Sequence, residues 1–313
     1  ELYAAIGVNP RFACVRVDAS DEHFSEEQQM QFAAVTMLLP GGTLAVAFRG
    51  TDDSFVGWKE DFNMAFRYPV PAQHAACEYV CAVARLWRGP MVLLGHSKGG
   101  NLAVYSGMKC APFVQKRIQK IYSLDGPGFR PEVLKECHYN AIEGKVVKLL
   151  PHSSMIGMIF ERDIHYRVVE SNSHGLLQHD PFSWLVEEDH FVDVGDIYES
   201  QKIMNEALNE WILSLNEEQI RTFVEKHETW IHRQQQRQAR YRAEHPEPTP
   251  QEQETLRRQA KAHLPQRVAY WAGVMGVRPT GIRITSARTR FGSCSGKNSL
   301  CFSLYPVSYT HLR

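Results

Sequence analysis

A ten-residue run, Met91-Val-Leu-Leu-Gly-His-Ser-Lys-Gly-Gly100, constrains this chain more than any other. Four apolar residues lead into Gly95-His96-Ser97-Lys98-Gly99, and Asn101-Leu-Ala-Val-Tyr105 follows with helical character. The order is strand, tight turn, helix, with a serine at the apex. A G-x-S-x-G turn demands glycine because its backbone is strained and its flanks leave no room for a Cβ. A serine placed there rises above the carboxyl edge of a sheet, at the mouth of a helix whose first N–H groups favour an oxyanion. The run reads as the nucleophile turn of a serine hydrolase. The alternative, an ordinary glycine-rich β–α turn, explains the strand and the helix less well.

Around this turn the chain alternates. Apolar runs at Thr43–Phe48, Met91–Leu94, Ile121–Leu124, Val146–Leu150 and Tyr166–Val169 read as strands. Helical patterns at Ala72–Trp87 and Asn101–Cys110 separate several of them. Such alternation predicts an α/β domain over residues 1–220, a mostly parallel sheet with helices on both faces. Ser200–Leu215 is amphipathic and reads as its closing helix. Residues 221–263 are rich in Glu, Arg and Gln and hold the breaker run His245-Pro-Glu-Pro-Thr-Pro250, which predicts a charged helical linker. Residues 264–313 form a further small region.

Charge and cysteine usage narrow the function classes. The 35 basic and 35 acidic side chains cancel, which gives no reason to expect nucleic acid or an anionic membrane as partner. No apolar run is long enough for a membrane span, and no basic-then-apolar leader is present. The seven cysteines form no C-x-x-C pair. Cys77 and Cys81 lie four apart in an Ala-rich stretch and read as helix packing rather than a metal or disulfide site. A reducing cytoplasm is the expected compartment. The first residue is Glu1 rather than Met, and the N-terminus reads as incomplete.

A nucleophilic serine needs oxyanion donors, a base and an orienting acid. One donor is the backbone N–H after the nucleophile, that of Lys98; the second is expected from the loop after an early strand. Ala45-Val-Ala-Phe-Arg-Gly-Thr51 ends such a strand, and Thr51 offers its N–H and its hydroxyl. A β-turn closed by Thr and Asp is the plainer reading. Lys98 itself is either a solvated side chain or a bias towards anionic substrates.

Phe48-Arg-Gly-Thr51, Gly57-Trp58-Lys-Glu-Asp61 and Gly95-His-Ser-Lys-Gly-Gly100 together resemble the class 3, fungal-type lipases. The likeness is stronger to the bacterial lipase-like family called Mbeg1-like, on Gly57–Met64, Gly95–Asn101, Asp125-Gly-Pro-Gly-Phe129 and Gln178-His-Asp-Pro-Phe-Ser-Trp184. The resemblance covers about residues 1–220. It implies an α/β-hydrolase fold and ester hydrolysis and does not supply a substrate; a small-molecule ester or lipid is expected as substrate, with no cofactor and no metal.

The acid stays open among three carboxylates. In fungal-type lipases it follows a later strand, but the corresponding Leu149-Leu-Pro-His-Ser-Ser-Met155 holds no carboxylate. Asp125, directly after Ile121–Leu124 and before Gly126, is preferred; Asp180 and Asp163 are weaker. The chain order Ser, acid, His places the base after the last strands. His179 is preferred because it sits in a motif resembling the family's, and His174 is second. His96 is expected to support the turn from beneath. Trp58, Phe62 and Met64 read as sheet packing, and Met155–Phe160 as core in preference to a lid.

Residues 222–303 resemble a second family, the YgjP-like zinc-dependent metallopeptidases, on Phe223–Ile231, Arg283–Ser295 and Asn298–Ser303. The zinc-binding H-E-x-x-H of that family occurs nowhere in this sequence, so this part reads as a truncated α+β fragment without peptidase activity. Thr222-Phe-Val-Glu225 suits both families and reads as a join, and Pro306–Arg313 matches neither and reads as a non-native tail. Three functions remain: a serine esterase, a hydrolase-fold protein that binds an acyl ligand without turnover, and an inactive metallopeptidase fragment.

Overall fold

The computed structural model describes residues 9–10, 12–52, 54–161, 165–216, 249–285, 292–294 and 298–303, with scattered positions between 218 and 233. The chain divides into two compact units, Glu1–His232 and Arg233–Arg313. Asp163, the Trp58 and Phe62 side chains, and the tail Pro306–Arg313 lie outside the described residues.

The first unit is built on a seven-stranded sheet whose strands lie in sequence order. β1 (Arg16–Ser25), β2 (Met30–Leu39) and β3 (Thr43–Phe48) pair antiparallel. β4 (Met91–His96), β5 (Ile118–Leu124), β6 (Val146–Pro151) and β7 (Tyr166–Val169) then add in parallel. Helices α1 (Phe55–Phe66) and α2 (Pro71–Leu86) join β3 to β4. α3 (Lys98–Lys109) and the short α4 (Pro112–Gln115) join β4 to β5, and α5 (Pro131–Glu136) lies between β5 and β6. α6 (Glu199–Ser214) closes the unit, one residue ahead of its expected start. This is the expected α/β-hydrolase class.

Strand order decides where the connecting helices lie. Phe32, Val46, Leu93 and Ile121 share one face and form a single apolar cluster with residues of α2, α3, α4 and α5. A right-handed crossover lands on the same face each time when every strand adds on the same side of the last. The sequential strand order therefore gathers these four helices on one face. The opposite face is covered at its β6–β7 end by Trp184 and Phe191 over Leu149 and Val169, while Tyr122 of β5 stays 37% exposed. Cys77 and Cys81 are free thiols on α2, half-buried as helix packing requires.

Two glycines of the central turn allow its close packing. A Cβ on Gly99 would stand 2.2 Å from the Phe48 carbonyl oxygen, and one on Gly95 would stand 2.2 Å from the Gly99 carbonyl carbon. The start of α3 thus lies directly against the ends of β3 and β4.

In the second unit α7 (Pro250–Met275) begins at a Thr249 cap reinforced by Glu252 and ends at Gly276 in the left-handed region. It runs through residue 263, where the sequence placed a boundary. β8 (Gly281–Thr285) pairs parallel with β10 (Ser299–Ser303), and β9 (Gly292–Cys294) pairs antiparallel with β10.

Gly99→Ala is expected to cost about 3 kcal/mol, because backbone on both sides must move to admit the methyl. Gly144→Ala, where a Cβ meets nothing within 4 Å, should be neutral within about 0.5 kcal/mol. Urea midpoints of the two variants against the parent check this.

Candidate active site

The turn between β4 and α3 holds Ser97 at φ 56° and ψ −128°, a backbone conformation that L-residues rarely occupy. The strain is held by the ladder on either side. The Ser97 N–H donates to the Leu124 carbonyl at 2.9 Å, and the Gly100 N–H donates to the Ser97 carbonyl at 2.9 Å. Ser97 therefore stands at the carboxyl edge of the sheet beside the end of β5.

The end of β5 brings Asp125 next to it. The Asp125 N–H donates to the Leu149 carbonyl at 2.8 Å, and its φ of 48° turns the chain sharply into Gly126. Asp125 is 1% exposed, yet both carboxylate oxygens have a partner. The Ser154 hydroxyl donates to Oδ1 at 2.5 Å, and His179 Nδ1 donates to Oδ2 at 2.6 Å. Ser154 comes from the loop after β6, the stretch that holds no carboxylate. In its place this chain puts a hydroxyl that braces the acid of the neighbouring strand. Asn205 of α6 fixes that loop by donating to the Ser154 carbonyl at 3.0 Å.

His179 closes the set. Its Nε2 lies 3.0 Å from Ser97 Oγ. A carboxylate only accepts, so Nδ1 carries the proton and Nε2 is left to accept from the serine hydroxyl. The ring is 27% exposed, open to solvent on one side. It sits on a 3₁₀ turn, Gly175–His179, and Gln178 anchors that turn. Gln178 Oε1 accepts from the Ser153 N–H at 2.9 Å, its Nε2 donates to the Ser173 carbonyl at 3.0 Å, and Trp184 Nε1 donates to its carbonyl at 2.8 Å. His96 Nε2 donates to the His179 carbonyl at 2.7 Å. His174 is exposed at the start of the same turn. Asp180 is exposed and caps the next turn, accepting from the Phe182 N–H at 3.0 Å.

The donor side is arranged around Gly50. A Cβ there would stand 2.8 Å from the His96 carbonyl oxygen and 3.4 Å from Ser97 Cβ, so the Arg49-Gly50-Thr51 backbone passes directly by the serine. The Thr51 hydroxyl, expected as a possible donor, is already spent: it donates to Asp61 Oδ2 at 2.5 Å. That leaves the Thr51 N–H for an oxyanion. The Lys98 N–H, at the first position of α3, has no partner within its own helix.

The Lys98 side chain overturns both readings given to it. It is 1% exposed and runs inward to Glu60, itself 0% exposed, with Nζ 3.0 Å from Oε2. Nζ also donates to the Gln31 carbonyl at 2.8 Å and to Gln31 Oε1 at 2.5 Å. Glu60 accepts in addition from the Gln31 N–H at 3.0 Å and the Ala72 N–H at 2.9 Å. This network ties β2, α1 and α2 to the base of the turn. Met155–Phe160 is half-buried to buried, with Met158 packed on Leu150 and Gly157 against Asp125. Among the described residues no three His, Cys, Asp or Glu side chains gather to hold a metal, and no helix is long and apolar enough to cross a membrane.

The profile of the Mbeg1-like family matches residues 6–227. The chain belongs to the Mbeg1-like family. The profile of a YgjP-like metallopeptidase domain matches residues 251–310 of this Mbeg1-like protein. No curated protein matches it. Among solved structures, lipase II from Rhizopus niveus is similar at 16% identity and a TM-score of 0.37, over 51% of this chain and 67% of that one. The Rhizomucor miehei lipase propeptide complex is similar at 13% and 0.38, over 51% of this chain and 57% of that one. The M37 lipase is similar at 12% and 0.40, over 67% of this chain and 72% of that one. Likenesses so distant add nothing to the geometry above.

Ser154, Gln178 and His96 are the site residues whose contacts the sequence hid, since each acts through a partner far along the chain. Two outcomes follow from the charges. Lys98→Met leaves Glu60 charged and unpaired in the interior and should cost about 3–5 kcal/mol in a denaturant melt. Burial pushes the Asp61 carboxyl up from 3.8 to about 6, with Lys98 and the Thr51 hydroxyl opposing. Between those values the folded chain holds a proton that the unfolded chain has released, so stability falls as pH rises through 3.8 to 6 and levels off above. Asp61→Asn should flatten that slope in Tm measured from about pH 4 to 7.

Proposed function

We propose that this Mbeg1-like protein is a serine hydrolase that cleaves carboxylic esters through an acyl-enzyme on Ser97. One observation carries the reading: Ser97 Oγ, the His179 ring and the Asp125 carboxylate stand in one hydrogen-bonded line, at 3.0 and 2.6 Å. His179 Nε2 takes the Ser97 proton as Oγ attacks the ester carbonyl. The oxyanion settles between the Thr51 and Lys98 N–H groups. The imidazolium returns its proton to the leaving alcohol, and the acyl group stays on Oγ. Water, deprotonated by the same ring, then releases the carboxylic acid and restores the serine. Asp125 keeps the ring in the tautomer that can accept and stabilises its charged form.

The surroundings favour an apolar ester. Leu176 and Leu177 precede His179, Phe182 follows it, and all three are exposed. Apolar side chains held in water beside a site mark where an apolar ligand sits. In the 3₁₀ turn Leu176 is three residues ahead of His179 and shares its side of the helix.

A fluorophosphonate probe should label the parent, and Ser97→Ala should abolish the labelling. Turnover of p-nitrophenyl butyrate should vanish with it. Asp125→Asn should lower kcat by about 10⁴-fold, through the wrong ring tautomer rather than lost binding. Labelling that persists in Ser97→Ala would reject the assignment.

A further inference from the structure

We infer that His96 is a positioning residue for the base: its Nε2–H clamps the main-chain carbonyl of His179 and thereby sets the approach of the ring to Ser97. The inference rests on the reading of His179 as the base, and extends it to a side chain for which that mechanism has no use.

His96 is the last residue of β4 and adjoins Ser97 in the chain, whereas His179 lies 83 residues further on. The 2.7 Å contact between His96 Nε2 and the His179 carbonyl is thus a direct tie from the nucleophile's own strand to the base loop. A carbonyl can only accept, so the proton must sit on His96 Nε2 and the tautomer is settled. The two rings lie 4.5 Å apart between centroids, tilted by 41°. Burial first, and then the neighbouring His179, hold His96 below the ordinary histidine value, opposed by the bond to the His179 carbonyl and by Asp125 and Asp180.

The other anchors of this loop act one residue away. The Ser153 N–H and the Ser173 carbonyl hold the side chain of Gln178, and Trp184 Nε1 holds its carbonyl. The carbonyl of His179 itself is gripped by His96. Turning that peptide would swing the Cα–Cβ bond and carry Nε2 off Ser97 Oγ. A misplacement near 1 Å is worth about 10²-fold in rate. The two short 3₁₀ turns, Gly175–His179 and Pro181–Ser183, are tied to the neighbouring chain by pairing only at their far end, where the Ser183 carbonyl accepts from the Asn172 N–H.

Two substitutions separate the clamp from packing. Gln places its amide nitrogen about as far from Cβ as histidine places Nε2, so His96→Gln keeps a donor without a titrating ring. His96→Phe keeps a ring and loses the donor. With p-nitrophenyl butyrate, His96→Phe should lower kcat about 10²-fold while KM stays within about twofold, and His96→Gln should recover most of the loss. The low-field proton resonance of His179 Nδ1–H, assigned with His179→Gln, should be sharp in the parent and in His96→Gln and broadened in His96→Phe. Parental kcat in His96→Phe, or His96→Gln as slow as His96→Phe, overturns the clamp. Should the parent neither turn over ester nor take the fluorophosphonate, the hydrolase reading falls and the resonance alone decides. Loss in His96→Phe with retention in His96→Gln then upholds the clamp, and three equal spectra overturn it.

Discussion

The close approach of α3 to the ends of β3 and β4 is what the site depends on. With no side chain at Gly95 or Gly99, the first turn of the helix lies against the Phe48 carbonyl and the backbone of β4 at distances a methyl would forbid. That contact forces Ser97 into its strained conformation and pushes its hydroxyl out above the sheet edge. It also brings the Gly50 backbone beside the serine, so that the loop after β3 and the start of α3 face one point. Every polar group of the site is then placed relative to this fixed crest, each by hydrogen bonds from a different strand end.

Burial sorts the charged groups around the crest. Asp125 is sealed but fully partnered, by a hydroxyl on one oxygen and a ring N–H on the other. Lys98 and Glu60 are sealed and paired with each other, with backbone donors and an acceptor filling the remaining valences. Asp61 is the exception: its Oδ1 has no partner while Oδ2 takes the Thr51 proton. A half-satisfied buried carboxyl resists ionisation, which is why its pKa rises and why the fold responds to pH below neutrality.

Much of this was legible in the chain because its parallel strands are short apolar runs between helical patterns. β3, β4, β5, β6 and β7 all stand within a few residues of those runs. β1 gave no such signal: it is an edge strand whose residues Arg16–Ser25 are nearly all exposed, and polar residues suit that place. β2 is mostly apolar but broken by Gln31 and Thr36 without strict alternation, so periodicity alone does not separate it from a buried helix. The one-sided placement of helices follows from strand order, which no local pattern encodes. The Ser–His–Asp geometry involves the residues that the motifs singled out, whereas the inward course of the Lys98 side chain leaves no local mark. Its partners Gln31 and Glu60 lie 67 and 38 residues away, and nothing near Lys98 announces them.

The inward turn of Lys98 also shapes what a substrate meets on arrival. The cation adjoining Ser97 in the chain is neutralised beneath the floor, so no lysine charge stands beside the Ser97 hydroxyl, the His179 ring and the exposed leucines. On the proposed reading, an ester arriving there would owe its capture to desolvation rather than to that cation, whose long-range pull added salt would otherwise weaken.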